Sequence, residues 1–283
     1  MLDPTQCPQK IKQAVYRPRR PDKTDLFKII KKHYNTWKHQ SSQKPKWYVE
    51  KAFEKYLACG NPGHGFACAR CLHCHTEFYI PFSCKGRGLC PACNTRSMVK
   101  AAAHLIDHVL PLVPMRQWVL SFPFRIRMIL FQPIHHQNIL AIILNEIRSA
   151  LLTNVAISDS EIGAISFFQN FGATLNVHPH FHLMITDGTF AKQDQGLKFF
   201  PATITAADIQ NVEERICYRV LRYLQRKKIL TPIEVDKMLA KEKTGFSLDG
   251  SVAIQSWDRS GLERILRYCS RPSFASESPN LRG

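Results

Sequence analysis

Apolar residues recur along this chain with two periods, and the switch between them predicts the elements. From Asp25 the run D-L-F-K-I-I-K-K-H-Y-N-T-W carries Leu26, Ile29, Ile30 and Tyr34 at helical spacing, with Asp25 as N-cap. A polar loop at 41–46 separates it from a second amphipathic helix beginning at Trp47, with Trp47, Phe53 and Tyr56 as its packing face. T-E-F-Y-I-P-F-S supplies strand residues for a hairpin, 96–110 reads as a helix stopped by Pro111, and 116–123 is a compact buried strand. A helix at 124–131 leads to a longer one at 134–155, striped by Ile139, Ile142, Ile143, Ile147 and Leu151. A strand at 163–168, a turn through Gln169, Asn170 and Gly172, and a strand from Val177 to Asp187 then form a second hairpin. The segment 188–201 is polar, and 205–227 is helical. Ser260–Glu263 is a capping box opening a last helix, whose stripe is Leu262, Ile265, Leu266 and Cys269.

Period two has a chemical consequence in V-H-P-H-F-H-L-M-I-T-D. It sends Val177, Phe181, Leu183 and Ile185 to one face and His178, His180 and His182 to the other. Neutral imidazole is the commonest metal ligand, and alternate strand positions lie about 6–7 Å apart, close enough to converge on one ion. Gln169, near the turn, offers an oxygen ligand. Tyr268 falls about 110° from the centre of its helix's apolar stripe, beside Arg264 and Arg267.

Ten cysteines change the picture of the first part of the chain, because seven lie between Cys59 and Cys93. Cys71-Leu-His-Cys74, fifteen residues, then Cys90-Pro-Ala-Cys93 fits the zinc-ribbon form, two thiolate knuckles joined by a hairpin into a closed structural site. Cys59, Cys68, Cys84, His64, His73 and His75 are surplus donors, with Cys59 and Cys84 candidates for part of a second site. Clustered pairs favour metal over disulfides. The balance of charge, 39 Lys and Arg against 22 Asp and Glu in 283 residues (+17), points to a polyanion, nucleic acid first. Lys85, Arg87, Arg96 and Lys100 form a basic rim around the cysteines suited to DNA phosphates, and Arg215, Arg219, Arg222, Arg226, Lys227 and Lys228 cluster on the 205–227 helix. Apolar runs fall far short of the roughly 18 residues of a membrane span, and the first residues lack a signal-peptide pattern, so a cytoplasmic protein is expected. The fold expected is α+β: a loose basic arm (1–24), a small zinc-ribbon domain that binds DNA (25–110), and a domain with an antiparallel sheet flanked by helices (111–283).

The order of these features resembles the insertion sequence 91 family of transposases. The resemblance runs from about 25 to 275 and rests on G-H-G-F-A-C-A-R-C-L-H-C…F-S-C-K-G-R-G-L-C-P-A-C, A-A-H-L-I-D-H-V-L-P…R-Q-W-V-L-S-F-P, F-F-Q-N-F-G-A-T-L-N-V-H-P-H-F-H-L-M-I-T-D-G and L-E-R-I-L-R-Y-C-S-R-P. It implies a zinc-binding N-terminal domain before an HUH-type nuclease domain (histidine, bulky hydrophobic, histidine). It also implies rolling-circle transposition, with single-stranded DNA at element ends and target cleaved and rejoined through a 5′-phosphotyrosine. On that resemblance His180 and His182 are the paired histidines and Tyr268 the nucleophile; Mg²⁺ or Mn²⁺ is held by the pair with Gln169 or His178 as third ligand. Many members carry a second tyrosine four residues before the first, where this chain has Arg264, so it resembles the single-tyrosine branch. The family continues past R-P-P-F-A, whereas this chain reads R-P-S-F-A-S-E-S-P-N-L-R-G, so a truncated copy is expected. The alternatives are a catalytically inactive transposase fragment and a zinc-dependent DNA-binding protein that leaves the histidines idle.

Overall fold

A computed structural model describes residues 20–274, apart from 43, 73, 74, 87, 158, 173 and 242. The chain is α+β and divides into two compact units between Ala101 and Ala102, the segment from Arg271 grouping with the first.

The first unit holds α1 (Asp25–Gln40), α2 (Trp47–Ala58), β1 (Phe66–Arg70), β2 (Glu77–Pro81) and the start of α3 (Pro91–His104). The cap of α1 is Thr24 rather than Asp25: its Oγ1 accepts from the Phe27 amide at 3.3 Å. Phe27, Ile30 and Tyr34 are buried, at i, i+3 and i+7, while Ile29 faces solvent. Phe53 stacks on Tyr34 at 4.9 Å and Tyr56 meets Phe27 edge-on at 5.6 Å, but Trp47 is exposed instead of packed. β1 and β2 pair antiparallel, from Phe66 opposite Pro81 to Arg70 opposite Glu77. The next helix opens at Pro91, earlier than the expected Arg96, because proline's fixed φ and missing amide suit a first helical position.

In the second unit α3 passes into a π-helical turn at Leu105–Val109. There follow β3 (Met115–Ser121), α4 (Phe124–Leu130), α5 (His136–Val155), β4 (Ser160–Glu161), β5 (Ala164–Phe171), β6 (Val177–Thr186), β7 (Gly188–Gln193) and β8 (Gly196–Pro201). The unit ends with α6 (Ala206–Arg226), α7 (Pro232–Leu239), β9 (Ser247–Asp249), β10 (Ala253–Ile254) and α8 (Arg259–Cys269). The central sheet runs β10-β3-β6-β5 with β9 also on β3, and every pairing is antiparallel.

Trp118, Leu120 and Phe122 join Phe181, Leu183 and Ile185 on one face of that sheet. There they pack with Ile139, Ile143, Ile147 and Leu151 of α5 and with Ile216, Val220 and Leu224 of α6. On the other face Met115, Met184 and Ile254 meet Leu262 and Leu266 of α8. β6 is therefore covered on both sides over its second half, and it stays half open only where its histidines begin. Arg116 clamps the closed end: Nε and Nη2 donate to the Asp187 carboxylate at 2.7 and 2.9 Å, and Nη1 donates to the Gly250 carbonyl at 2.8 Å.

The segment read as polar, 188–201, forms the β7–β8 hairpin of a smaller sheet with β4. Phe190 and Phe199 pair across it at 5.1 Å, and a side chain at Gly188 would meet the Phe200 carbonyl oxygen at 2.2 Å. One aromatic pair and a close strand approach hold it, so little periodicity reaches the sequence.

Candidate functional site

Four sulfurs converge in the first unit. Cys59 caps the end of α2, Cys84 follows β2, and Cys90 and Cys93 flank the first turn of α3. Their Sγ atoms all lie within 4.8 Å of one another, with Cys59–Cys93 and Cys59–Cys90 at 3.7 Å and Cys84–Cys93 at 3.5 Å. Tetrahedral zinc with bonds of about 2.3 Å places its sulfurs about 3.8 Å apart, so these residues fit a closed structural Zn²⁺ site. The clustered thiols share protons: Cys93 accepts from its neighbours and is held far below the ordinary thiol value, while hydrogen bonding pushes Cys84 and Cys90 up. Amides of Cys84 and Gly86 donate to Cys59 and Cys84 sulfur, each at 3.4 Å, as expected where thiolate charge must be held.

Cys90 and Cys93 are thus brought together with Cys59 and Cys84, not with Cys71. The expected pairing through Cys71 fails on length. Cys71 sits at the tip of the β1–β2 hairpin, where its amide bonds the Thr76 carbonyl. Cys59 and Cys84 sit at the hairpin's base, beside Gly60 and Phe82, and five residues of strand put roughly 16 Å between the two ends. Cys74 and Arg87 lie outside the described residues, and Cys68 is exposed on β1. Lys85 and Arg96 line a groove of about 570 Å³ against the cluster, together with Lys55 and His64. Lys100 lies farther along α3.

In the second unit the three imidazoles stand in a row on β6, ring centres 5.4 Å apart for His178–His180 and 4.8 Å for His180–His182. His180 Nδ1 donates to the His178 carbonyl at 2.6 Å, which leaves its Nε2 a free lone pair. His182 is buried; its Nδ1 faces the Gln117 amide at 3.4 Å, and its Nε2 is sealed from solvent with no hydrogen-bond partner. An orphaned buried nitrogen beside a second lone pair on the half-buried His180 fits a divalent cation. Burial, then the neighbouring His180, drives the His182 value down to about 4, so the ring is neutral at neutral pH. His180 is lowered by burial, and His178 by burial and the Arg127 charge, which also opposes protonation of His180.

Tyr268 arrives from the other side of this row. The Asp258 carboxylate caps α8 by accepting from the Gly261 amide at 2.8 Å, so the cap is Asp258, not the expected Ser260 box. A methyl group at Gly261 would meet that carboxylate at 2.1 Å. Leu262, Leu266 and Cys269 bury one side of the helix, and the Tyr268 ring emerges 58% exposed, edge-to-face with His182 at 5.6 Å. Gln169 lies on β5 opposite His180 rather than in a turn, and its Nε2 donates to the carbonyls of Cys269 at 2.8 Å and Tyr268 at 3.5 Å.

Two site residues gave no sequence signal. Gln117 occupies an alternate position of a strand that reads as buried, and its amide bridges His182 and the Cys269 sulfur, each at 3.4 Å. Arg127 donates through Nε to the Phe122 carbonyl, within reach of the charge balance of His178 and His180. Residues 29–122 match the family described as "Transposase zinc-binding domain", and residues 163–278 match the one described as "Putative transposase". No curated protein and no solved structure matches the chain. The two family matches follow the order of cysteine cluster and histidine strand, span most of the chain between them, and place it in the insertion sequence 91 family of transposases, with an N-terminal zinc-binding domain.

Proposed function

We propose that this transposase cleaves and rejoins single-stranded DNA through a 5′-phosphotyrosine on Tyr268, the chemistry of rolling-circle transposition. What carries the reading is the meeting of the Tyr268 ring with His182 at 5.6 Å, beside a buried imidazole nitrogen that has no partner. His180 and His182, with His178 or the remaining Gln169 oxygen, would hold Mg²⁺ or Mn²⁺. Such an ion, when bound, supplies Lewis-acid polarisation of a scissile phosphate.

The chain's own residues do the rest. Tyr268 gives up its phenol proton to water as its oxygen forms a bond to phosphorus and the bond to the 3′ oxygen breaks; that oxygen leaves with the electron pair and takes up a proton. The bond energy stays in the phosphotyrosine, so a free 3′-hydroxyl can reverse the step without ATP. Arg127 offers fixed positive charge to the phosphate, and Gln169 fixes the end of α8 that carries the tyrosine. With arginine at position 264, one nucleophile serves each cleavage.

The test uses the full chain with labelled single-stranded oligonucleotides tiling the DNA that flanks its own gene, in Mn²⁺. A covalent adduct stable in detergent is expected. Tyr268→Phe should abolish it while DNA retention persists; His182→Ala should abolish it and also Mn²⁺ binding by calorimetry, with zinc content unchanged. An adduct undiminished in Tyr268→Phe removes Tyr268 from the mechanism, and DNA retention without any adduct favours a zinc-dependent DNA-binding protein.

A further inference from the structure

Cleavage chemistry uses the histidine face of the central sheet and leaves the arginine face of α6 without a role. Arg215, Arg219, Arg222 and Arg226 recur at i, i+4, i+7 and i+11, which at ~100° per residue confines them to an arc of about 60°. That row is about 16 Å long at ~1.5 Å per residue. Its opposite side, Ile216, Val220 and Leu224, enters the core on the sheet face that carries Phe181 and Leu183. The row therefore lies on a surface other than the one bearing the imidazoles.

Two features set it apart from an ordinary solvated helix face. The first is Glu146, whose side chain is 1% exposed within the apolar stripe of α5. Arg215 Nε forms an ion pair with it at 2.6 Å, and Arg219 Nη1 donates to it. A carboxylate so buried is costly to leave unpaired and is kept here under two guanidiniums that stay about half exposed, at 56% and 47%. One buried negative charge thus orients two positive ones outward and leaves a surplus. The second feature is a shallow cleft of about 490 Å³ lined by Tyr218, Arg219, Arg222, Gln225 and Arg226. Arg222 lies over the Tyr218 ring at 5.3 Å and approaches Asp236 at 3.5 Å, which holds its plane against the half-exposed ring.

We propose that this face docks a DNA strand remote from the scissile phosphate, phosphates on Arg219, Arg222 and Arg226 and a base against the Tyr218–Arg222 pair. Guanidinium forks match phosphate oxygens, and aromatic or guanidinium planes accept any base, so the site is read as sequence-tolerant. Glu146 is a positioning residue. The identity of the polymer rests on the transposase reading; the cationic row and cleft do not.

Binding of fluorescein-labelled oligothymidylate to the zinc-loaded full chain is followed by anisotropy across a salt series. Arg222→Ala/Arg226→Ala should weaken binding about tenfold and flatten the log–log salt slope by about 1.4, at ~0.7 per lost phosphate contact. Arg222→Lys/Arg226→Lys should keep most of the slope, and Tyr218→Leu should weaken binding with the slope unchanged. At saturating short oligonucleotide, the alanine pair should form the Tyr268 adduct as the parent does. Conversely, Tyr268→Phe should lose the adduct with affinity intact, so failure of one proposal is distinguishable from failure of the other. Unchanged affinity and slope in the alanine pair overturn the docking surface, whatever its thermal midpoint, and leave the row to a protein partner.

Discussion

The cysteine cluster fits a closed metal site, the histidine row is proposed as an open one, and they differ in what each leaves open. Cys59, Cys84, Cys90 and Cys93 come from three segments, and their four sulfurs would fill every position of a tetrahedral ion. His180 and His182 come from a single strand, fill two positions, and keep a phenol rather than a fourth ligand alongside. A closed set ties chain segments together and exposes no reactive position. An incomplete set, held by a sheet covered on both faces beyond the histidines, would leave room for a substrate oxygen. The lesson is that ligand count and chain origin separate a structural centre from a chemical one before any reaction is considered.

The largest effect should come from the closed set. Cys90→Ser or Cys93→Ser should release zinc and unfold the first unit, since structural zinc contributes about 10–16 kcal/mol to such domains. Zinc content and far-ultraviolet dichroism check it. Cys71→Ser should keep one zinc per chain, and loss of that zinc would falsify the assignment of the tip cysteine to a non-ligand place. Next, Arg116→Met leaves Asp187 a buried unpaired charge and should cost about 3–5 kcal/mol of second-unit stability. If denaturant melts show zinc leaving in the same transition, the two centres do not have independent frameworks.

Smaller and more local, Gln117→Glu puts a carboxylate acceptor opposite His182 Nδ1, where the amide nitrogen can only donate, and should tighten Mn²⁺ binding by about 10–100-fold with zinc unchanged. Equal calorimetric affinity would show that the open set needs no such support. The mildest is Asp258→Ala, which deletes the α8 cap at a cost of about 1 kcal/mol. It should lower adduct yield more than it lowers DNA affinity; the reverse outcome would mean the helix does not present the tyrosine.

Much of the second unit was legible because its elements obey one period each. The α5 stripe from Ile139 to Leu151 and the alternation on β6 appear in the structure as read. The four-sulfur cluster was not, because two C-x-x-C pairs at ribbon spacing outweighed a scattered Cys59 and Cys84 that only the hairpin's length brings to Cys90 and Cys93. Gln117 was invisible for a different reason: a polar residue in a strand reads as solvent-facing until the partner strand supplies His182 and α8 supplies Cys269. Caps went astray by one or two residues at Thr24 and Asp258, where competing oxygens stand next to each other in sequence.

Gln169 bolts the last carbonyls of α8 to the sheet, so the backbone that carries Tyr268 is a fixed pivot. If that phenol carries a DNA end as proposed, the end can swing only through the arc of one side chain. Exchange of strands would then depend on the incoming 3′ end travelling to a stationary anchor, with the protein a vice rather than a ferry.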